Sequence, residues 1–280
     1  MAIIDRLTKF RKRKVGLALG GGAARGLAHI GVLEVLQRED IPINLIAGTS
    51  IGAVIGAVFA RGKDTQEIKK LVLEMVEKRF TFIDPSLPRT GFIKGRKIKK
   101  ALASFIGGEI RFSDLKIPFA CVATDIDTGE EVVIDEGSVP EAVRASISIP
   151  AIFTLVKWKG RYLVDGGLTN PVPISVLQKM GADFIIAVNA IPDVTERARR
   201  VKKEKSADSK EPNIINILMQ STYIGTYALV KSSMESADIV IEPRVVHIGA
   251  ADFHHAGECI RQGELAAQEA IPEIKRRLRI

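Results

Sequence analysis

Leu45-Ile46-Ala47-Gly48-Thr49-Ser50-Ile51-Gly52-Ala53-Val54-Ile55-Gly56-Ala57-Val58-Phe59-Ala60 decides how this 280-residue chain is read. From Ile41 to Ala60 twenty residues pass without a charge, and Gly48, Gly52 and Gly56 recur at four-residue spacing. Both features suit a membrane-spanning helix with a glycine packing face. Pro42, Asn44, Gly48, Thr49 and Ser50 break that reading into a strand at Leu45–Ala47, a sharp turn and a helix over Ile51–Ala60. The turn has G-x-S-x-G spacing, that of a nucleophile elbow. So tight a turn needs flanking positions nearly free of side chain, and it pushes the Ser50 hydroxyl out beyond the strand end. The helix starts at once, so the Ile51 N–H and the positive helix end face any oxyanion that develops there.

Outward from this turn, strand-like and helix-like stretches alternate. Val15–Leu19 reads as a buried strand, followed by a glycine loop and a helix over about Gly26–Glu39. Helices are expected at Thr65–Lys78 and Arg96–Phe105. Pro118–Asp125 and Glu131–Asp135 read as a strand pair around Asp127-Thr128-Gly129-Glu130. A second pair flanks Lys159-Gly160 and runs into Tyr162–Val164. Late strands at Asp183–Asn189 and Asp238–Glu242 enclose a helix at Ile214–Glu235, and another helix follows Gly257. The alternation predicts an α/β fold of three layers, α/β/α, with a mainly parallel central sheet.

The loop Gly20-Gly21-Gly22-Ala23-Ala24-Arg25-Gly26 lies after a strand and before a helix. Three glycines leave backbone N–H groups able to converge on a negative oxygen. A dinucleotide loop would need glycine where Arg25 stands, and a P-loop would need a Gly-Lys-Ser/Thr ending. The loop is therefore read with the elbow, as an oxyanion hole. Asp165-Gly166-Gly167 closes the strand Tyr162–Val164 and is followed by Asn170-Pro171-Val172-Pro173. A carboxylate there can approach another backbone closely, although a plain Asp-Gly turn reads the same way.

In this order the three motifs resemble the patatin-like phospholipase family, whose pattern is G-G-G-x-x-[RK]-G, then G-x-S-x-G, then D-G-[GA]. The matches fall at residues 20–26, 48–52 and 165–167, and Leu87–Gly91, Cys121–Thr128 and Ser146–Phe153 are similar as well. The resemblance covers roughly residues 14–190 and is strongest to small bacterial single-domain members. It implies a patatin-like fold over residues 15–280 and a serine acyl hydrolase acting on phospholipid or lysophospholipid esters. Ser50 would be the nucleophile and Asp165 its base, with no catalytic histidine, no metal and no cofactor. Gly20, Gly21, Gly22 and Ile51 would form the oxyanion hole. Arg25 braces the glycine loop in this reading, with a lipid phosphate contact as the alternative. A soluble carboxylesterase or thioesterase with the same dyad, and a non-catalytic lipid-binding regulator, are the rival functions. The order Ser50, Asp165, His254 also allows an α/β-hydrolase triad, but that fold places several strands before its elbow. His29 is read as a packed or capping residue.

Composition bounds the rest. Apolar residues make up 46% and charged residues 26%, ordinary for a globular chain able to build its own core. Cys121 and Cys259 are the two cysteines, and with four histidines they show no zinc-ligand spacing. A reducing, cytoplasmic setting is expected. The net charge of +8 comes from residues 1–14, with six basic side chains and one acid, and 195–213, with seven and four. Basicity confined to a tail and a loop fits an anionic membrane surface and gives no nucleic-acid-binding face. Residues 3–14 suit an interfacial anchor, at the inner face of the membrane, or a tail folded on its domain. Residues 195–213 read as a mobile surface loop, with a lid or a lipid-headgroup contact as the alternative. Ile214–Val230 reads as core or dimer packing, or as a lid or acyl-chain wall. Lys94, Arg96, Lys97, Lys99 and Lys100 read as a solvated helix face. A homo-oligomer is compatible with all of this.

Overall fold

A computed structural model describes residues 13–77, 91–93, 95–195 and 214–280. The basic tail 1–14, apart from Arg13 and Lys14, and the charged segment 195–213, apart from Thr195, lie outside the described residues. So do residues 87–90 and Lys94.

The strands are β1 (Val15–Leu19), β2 (Leu45–Thr49), β3 (Gly91–Ile93), β4 (Phe119–Asp125), β5 (Glu131–Ile134), β6 (Ala151–Phe153), β7 (Val156–Trp158), β8 (Arg161–Asp165), β9 (Phe184–Val188) and β10 (Ile239–Ile241). The α-helices are α1 (Ala28–Arg38), α2 (Ile51–Ala60), α3 (Thr65–Glu77), α4 (Arg96–Ile106), α5 (Val139–Ser146), α6 (Ile174–Lys179), α7 (Ile214–Met234) and α8 (Ala256–Leu278). The main sheet runs β10-β9-β1-β2-β4-β8-β7, with β5 on the remaining edge of β4. From β10 to β4 every pairing is parallel, while β8 and β5 run antiparallel to β4. The mainly parallel sheet expected from the alternation is thus observed. The turn at Lys159 and Gly160 joins β7 to β8 with φ of 46° and 86°, the positive values a two-residue hairpin turn requires.

Strand residues divide between the two faces of the sheet by period two. Val15, Leu17 and Leu19 of β1, with Phe184, Ile186 and Val188 of β9, join one core with Ile30 and Leu33 of α1, Ile55 of α2 and Ile260 of α8. Ala18, Ala47 and Val122 face the other core, with Val176 and Leu177 of α6 and Met219 and Tyr223 of α7. Both faces are covered, so the central strands read as unbroken apolar runs.

Four elements go beyond what periodicity predicts: two helices and a pair of strands. Helix α5 is capped by Ser138, whose Oγ accepts from the Glu141 N–H at 3.4 Å, with Pro140 in its first turn. Helix α6, at six residues, is too short to show a helical period. A separate parallel pair, β3 with β6, joins stretches 60 residues apart at Gly91↔Ala151, beyond the reach of any local pattern.

Helices α1 and α8 touch backbone to backbone because each supplies a glycine at the crossing. A Cβ on Gly31 would lie 1.9 Å from the Ile260 carbonyl oxygen, and one on Gly263 would lie 1.9 Å from that of Ala28. Neither oxygen can yield without moving its helix. Gly263→Ala should therefore lose about 1–3 kcal/mol despite the better helix propensity of alanine. Gly257→Ala, in the same helix with nothing within 4 Å of the added methyl, should gain about 0.5 kcal/mol. Urea midpoints at unchanged m-value measure both shifts.

Candidate active site

The register on β4 brings the two motif ends together. Residues 119–122 of β4 pair with β2, placing Thr49 opposite Val122. Residues 123–125 pair with β8, placing Asp165 opposite Ala123. Because β5 occupies residues 121–124 of β4 from the other side, β2 and β8 must share one edge, and their C-terminal ends meet there. Ser50 follows β2 directly, and Asp165 ends β8. The Ser50 hydroxyl donates to Asp165 Oδ2 at 2.6 Å.

Backbone crowding explains the glycines around the pair. A Cβ on Gly48 would stand 2.6 Å from Ala53 Cα, and one on Gly52 would stand 2.1 Å from the Leu19 carbonyl oxygen. The turn between them holds Ser50 at φ 56° and ψ −124°, a conformation that costs a non-glycine residue about 1–3 kcal/mol. The Ser50 N–H donates to Ser146 Oγ at 2.9 Å, at the end of α5. Behind Asp165, a Cβ on Gly166 would lie 2.2 Å from the Val122 carbonyl oxygen. The Asp165 N–H donates to the Ser148 carbonyl at 2.9 Å, and Thr124 Oγ1 donates to the Asp165 carbonyl at 3.0 Å. Both strand ends are thereby fixed, by residues of the family-like stretches Cys121–Thr128 and Ser146–Phe153.

Ser50 and Asp165 are 8% and 7% exposed. Loss of hydration pushes the Asp165 pKa up to about 6, against opposing hydrogen bonds from the Ser50 hydroxyl and the Gly167 N–H. The Gly167 bond, to Oδ1, is 2.8 Å long. Asp165 thus stays ionised at neutral pH yet holds a proton far more readily than a solvated aspartate.

The glycine loop differs from its expected use. The Gly20 N–H donates to the Val188 carbonyl at 3.0 Å and the Gly21 N–H to the Pro171 carbonyl at 2.9 Å. These two amides, expected in the oxyanion hole, are already committed, and this corrects that expectation for Gly20 and Gly21. They hold the loop onto β9 and onto the segment after Asp165. Among the described residues, the N–H groups of Gly22, Ala23 and Ile51 have no acceptor. Gly22 and Ala23 line the cleft with Ser50. Gly22 has φ 138° and Ala23 φ 51°, and those values turn the chain there.

His29 lies beneath the loop, fully buried, with Nε2 2.7 Å from the Gly20 carbonyl oxygen. A carbonyl only accepts, so Nε2 carries the hydrogen. Burial pulls the His29 pKa down to about 4, and the ring is neutral at physiological pH. Arg25 is wholly buried; its Nε donates to the Ile248 carbonyl at 2.5 Å and its guanidinium lies 5.5 Å from the centre of the Tyr223 ring. It ties the loop to the chain before α8 and to α7. His254 packs against His255, and His255 bonds Glu258 at 3.1 Å. Neither histidine is a partner of Ser50 or Asp165. Over the pair, Ile149, Ile191, Met219 and Tyr223 close a narrow cavity of about 30 Å³, space for two or so water molecules.

The chain is thus an α/β/α sandwich in which a strand-end serine meets a buried carboxylate beside open backbone amides. Residues 17–177 match the family model described as patatin-like phospholipase, and the chain belongs to that family. An uncharacterized NTE family protein of Mycobacterium tuberculosis is 37% identical over 177 residues, covering 63% of this chain and 49% of that protein. Lysophospholipase NTE1 of Pyricularia oryzae is 26% identical over 281 residues, covering 94% of this chain and 19% of that protein. The chain spans about half the length of the mycobacterial relatives it matches. Among solved structures, VipD from Legionella pneumophila shares the fold with a TM-score of 0.54 at 14% identity, over 94% of this chain and 67% of that one.

A raised carboxyl pKa has a stability consequence of definite sign. Below its ordinary value near 3.8 the carboxyl is protonated in both folded and unfolded chains; as pH rises toward 6 only the unfolded chain ionises freely, and stability is lost. Asp165→Asn, neutral at every pH, should be more stable than the parent above pH 6 by on the order of 2 kcal/mol. The margin should vanish near pH 4. Urea melts of both proteins across this range test it, and His29, common to both, cancels from the difference.

Proposed function

We propose that the chain is a serine acyl hydrolase of lipid esters, with a phospholipid or lysophospholipid as substrate, in which Ser50 is the nucleophile and Asp165 its general base. The observation that carries the reading is the 2.6 Å bond from the Ser50 hydroxyl to a buried carboxylate. The Ser50 oxygen attacks the ester carbonyl carbon as its proton passes to Asp165 Oδ2. The oxyanion so formed is received by the N–H groups of Gly22, Ala23 and Ile51, which have no acceptor among the described residues, that of Ile51 at the start of α2. Collapse expels the alcohol, which takes the proton from Asp165 and leaves an acyl-serine. Water then attacks the acyl carbon, giving its proton to Asp165. The fatty acid departs, and the proton returns to Ser50. Each proton has one carrier, so the cycle closes without a histidine.

Asp165 suits the role because its pKa near 6 lies close to the working pH, where a base both stays ionised and accepts a proton readily. His29 would act through the loop, holding the Gly20 carbonyl and with it the loop whose Gly22 and Ala23 amides stay open toward the serine. The similarity to a protein named as a lysophospholipase supports the lipid ester substrate.

Three measurements test the reading. A fluorophosphonate probe should label Ser50, with labelling lost in Ser50→Ala and in Asp165→Asn. Both substitutions should lower kcat by about 10³-fold or more, whereas His254→Ala and His255→Ala should leave it within about twofold, since neither ring is part of the proton path. The kcat/KM of the parent should fall about tenfold per pH unit below about pH 6 and level off above it. Failure of the folded protein to label would point to the lipid-binding alternative. Hydrolysis of short soluble esters with no preference for aggregated lipid would point to a carboxylesterase or thioesterase.

A further inference from the structure

Helix α7 is apolar on two opposite sides. Met219, Tyr223, Thr226 and Val230 are buried against the body of the protein, and the first three line the cleft over Ser50. On the outer side Ile214, Ile217 and Ile224 are 64%, 46% and 57% exposed. Ser221 and Ala228 lie on the same side and are exposed too. The steps of three and four residues between them set these five side chains on one straight face, about 21 Å long. Even the serine adds little polarity there, because its hydroxyl donates to the Ile217 carbonyl of its own helix at 2.9 Å. Lys231 is the one charged residue in the 21 of this helix. A helix apolar all round is normally enclosed, and no helix among the described residues is long and apolar enough to cross a membrane.

We propose that the outer face of α7 docks on an anionic lipid surface, and that docking draws the helix off the cleft over Ser50. The inference rests on the lipid-ester reading and identifies where that substrate is met. The cavity over Ser50 is about 30 Å³, whereas a site for an extended ligand needs several hundred, about 300–1,000 Å³. The other walls are ends of the central sheet or segments bonded to it; α7 is the wall formed by a separate helix. Its outer isoleucines gain burial only from something outside the described protein, and a lipid surface offers that burial at the place where the substrate resides. Charge favours this occupant over a second copy. Residues 195–213, which lead into α7 in sequence, carry seven basic and four acidic side chains. Two such chains face to face repel, while an anionic bilayer attracts.

The doubly substituted protein I217S/I224S tests the proposal, since both side chains lie on the exposed face and neither lines the cleft. Its urea midpoint should match the parent. Cosedimentation with phosphatidylglycerol vesicles, and hydrolysis of lipid in them, should fall about tenfold or more, while hydrolysis of a soluble butyrate ester stays within about twofold. Undiminished vesicle binding overturns the proposal. So does equal loss on both substrates, or a parent dimer, seen by analytical ultracentrifugation, that the substitutions dissolve. Vesicle binding that depends on these isoleucines in a protein that cleaves neither ester would support the docking face while removing the hydrolase reading, so the two failures are distinguishable.

Discussion

One edge of strand β4 is shared by two strands end to end, and the arrangement of the candidate site follows from it. β2 arrives in parallel and stops at Thr49; β8 arrives antiparallel and stops at Asp165, one pairing further along. Each strand end also lies hard against the backbone of a neighbouring strand: a Cβ on Gly52 would fall 2.1 Å from the Leu19 carbonyl oxygen of β1, and one on Gly166 would fall 2.2 Å from the Val122 carbonyl oxygen of β4. The same crowding drives Ser50 into a left-handed φ of 56° and points its hydroxyl at the carboxylate. Such strain persists only where the surroundings over-determine it, and here it is flanked by strands buried on both faces.

Burial sets the electrostatics of the candidate site. The sheet ends, α5 and α7 exclude water from Asp165, and the lost hydration outweighs two hydrogen bonds to set its pKa near 6. The same exclusion keeps His29 neutral under the glycine loop, where it can donate to a carbonyl but carries no charge to compete with the Asp165 proton. Which amides remain open is a matter of backbone accounting. Gly20 and Gly21 spend theirs on Val188 and Pro171, so the loop is anchored at its first half and presents donors at its second. Arg25, buried among backbone oxygens and an aromatic ring, links this loop to both α7 and the chain before α8. The loop geometry is therefore coupled to the helix that covers the cleft.

Helix α7 differs in kind from the other covering elements. α1 and α8 are locked to each other through reciprocal glycines, and their apolar faces look inward. α7 has a buried face toward the cleft and an equally apolar face toward solvent, with the hydroxyls of Ser221, Thr222 and Thr226 each turned back to a carbonyl four residues earlier. Polar residues in such a helix do not make it polar outside.

Much of this was legible in the chain itself. The change from period-two runs to helical periodicity marked most strands and helices, because apolar alternation and turn chemistry are local properties. G-x-S-x-G and Asp165-Gly166-Gly167 marked the strand ends that meet, because glycine is enforced wherever backbones touch. What the sequence could not express is anything set by pairing between distant segments. The β3–β6 pair joins residues 60 apart, Ser146 at the end of α5 holds the Ser50 N–H from 96 residues away, and the commitment of the Gly20 and Gly21 amides depends on the distant carbonyls of Val188 and Pro171. Hydrogen-bond partners and burial are relations between residues. The residue types at the site were written in the sequence, and the proton affinity of Asp165, the open amides and the covered cleft were decided by which other segments the tertiary fold laid against them.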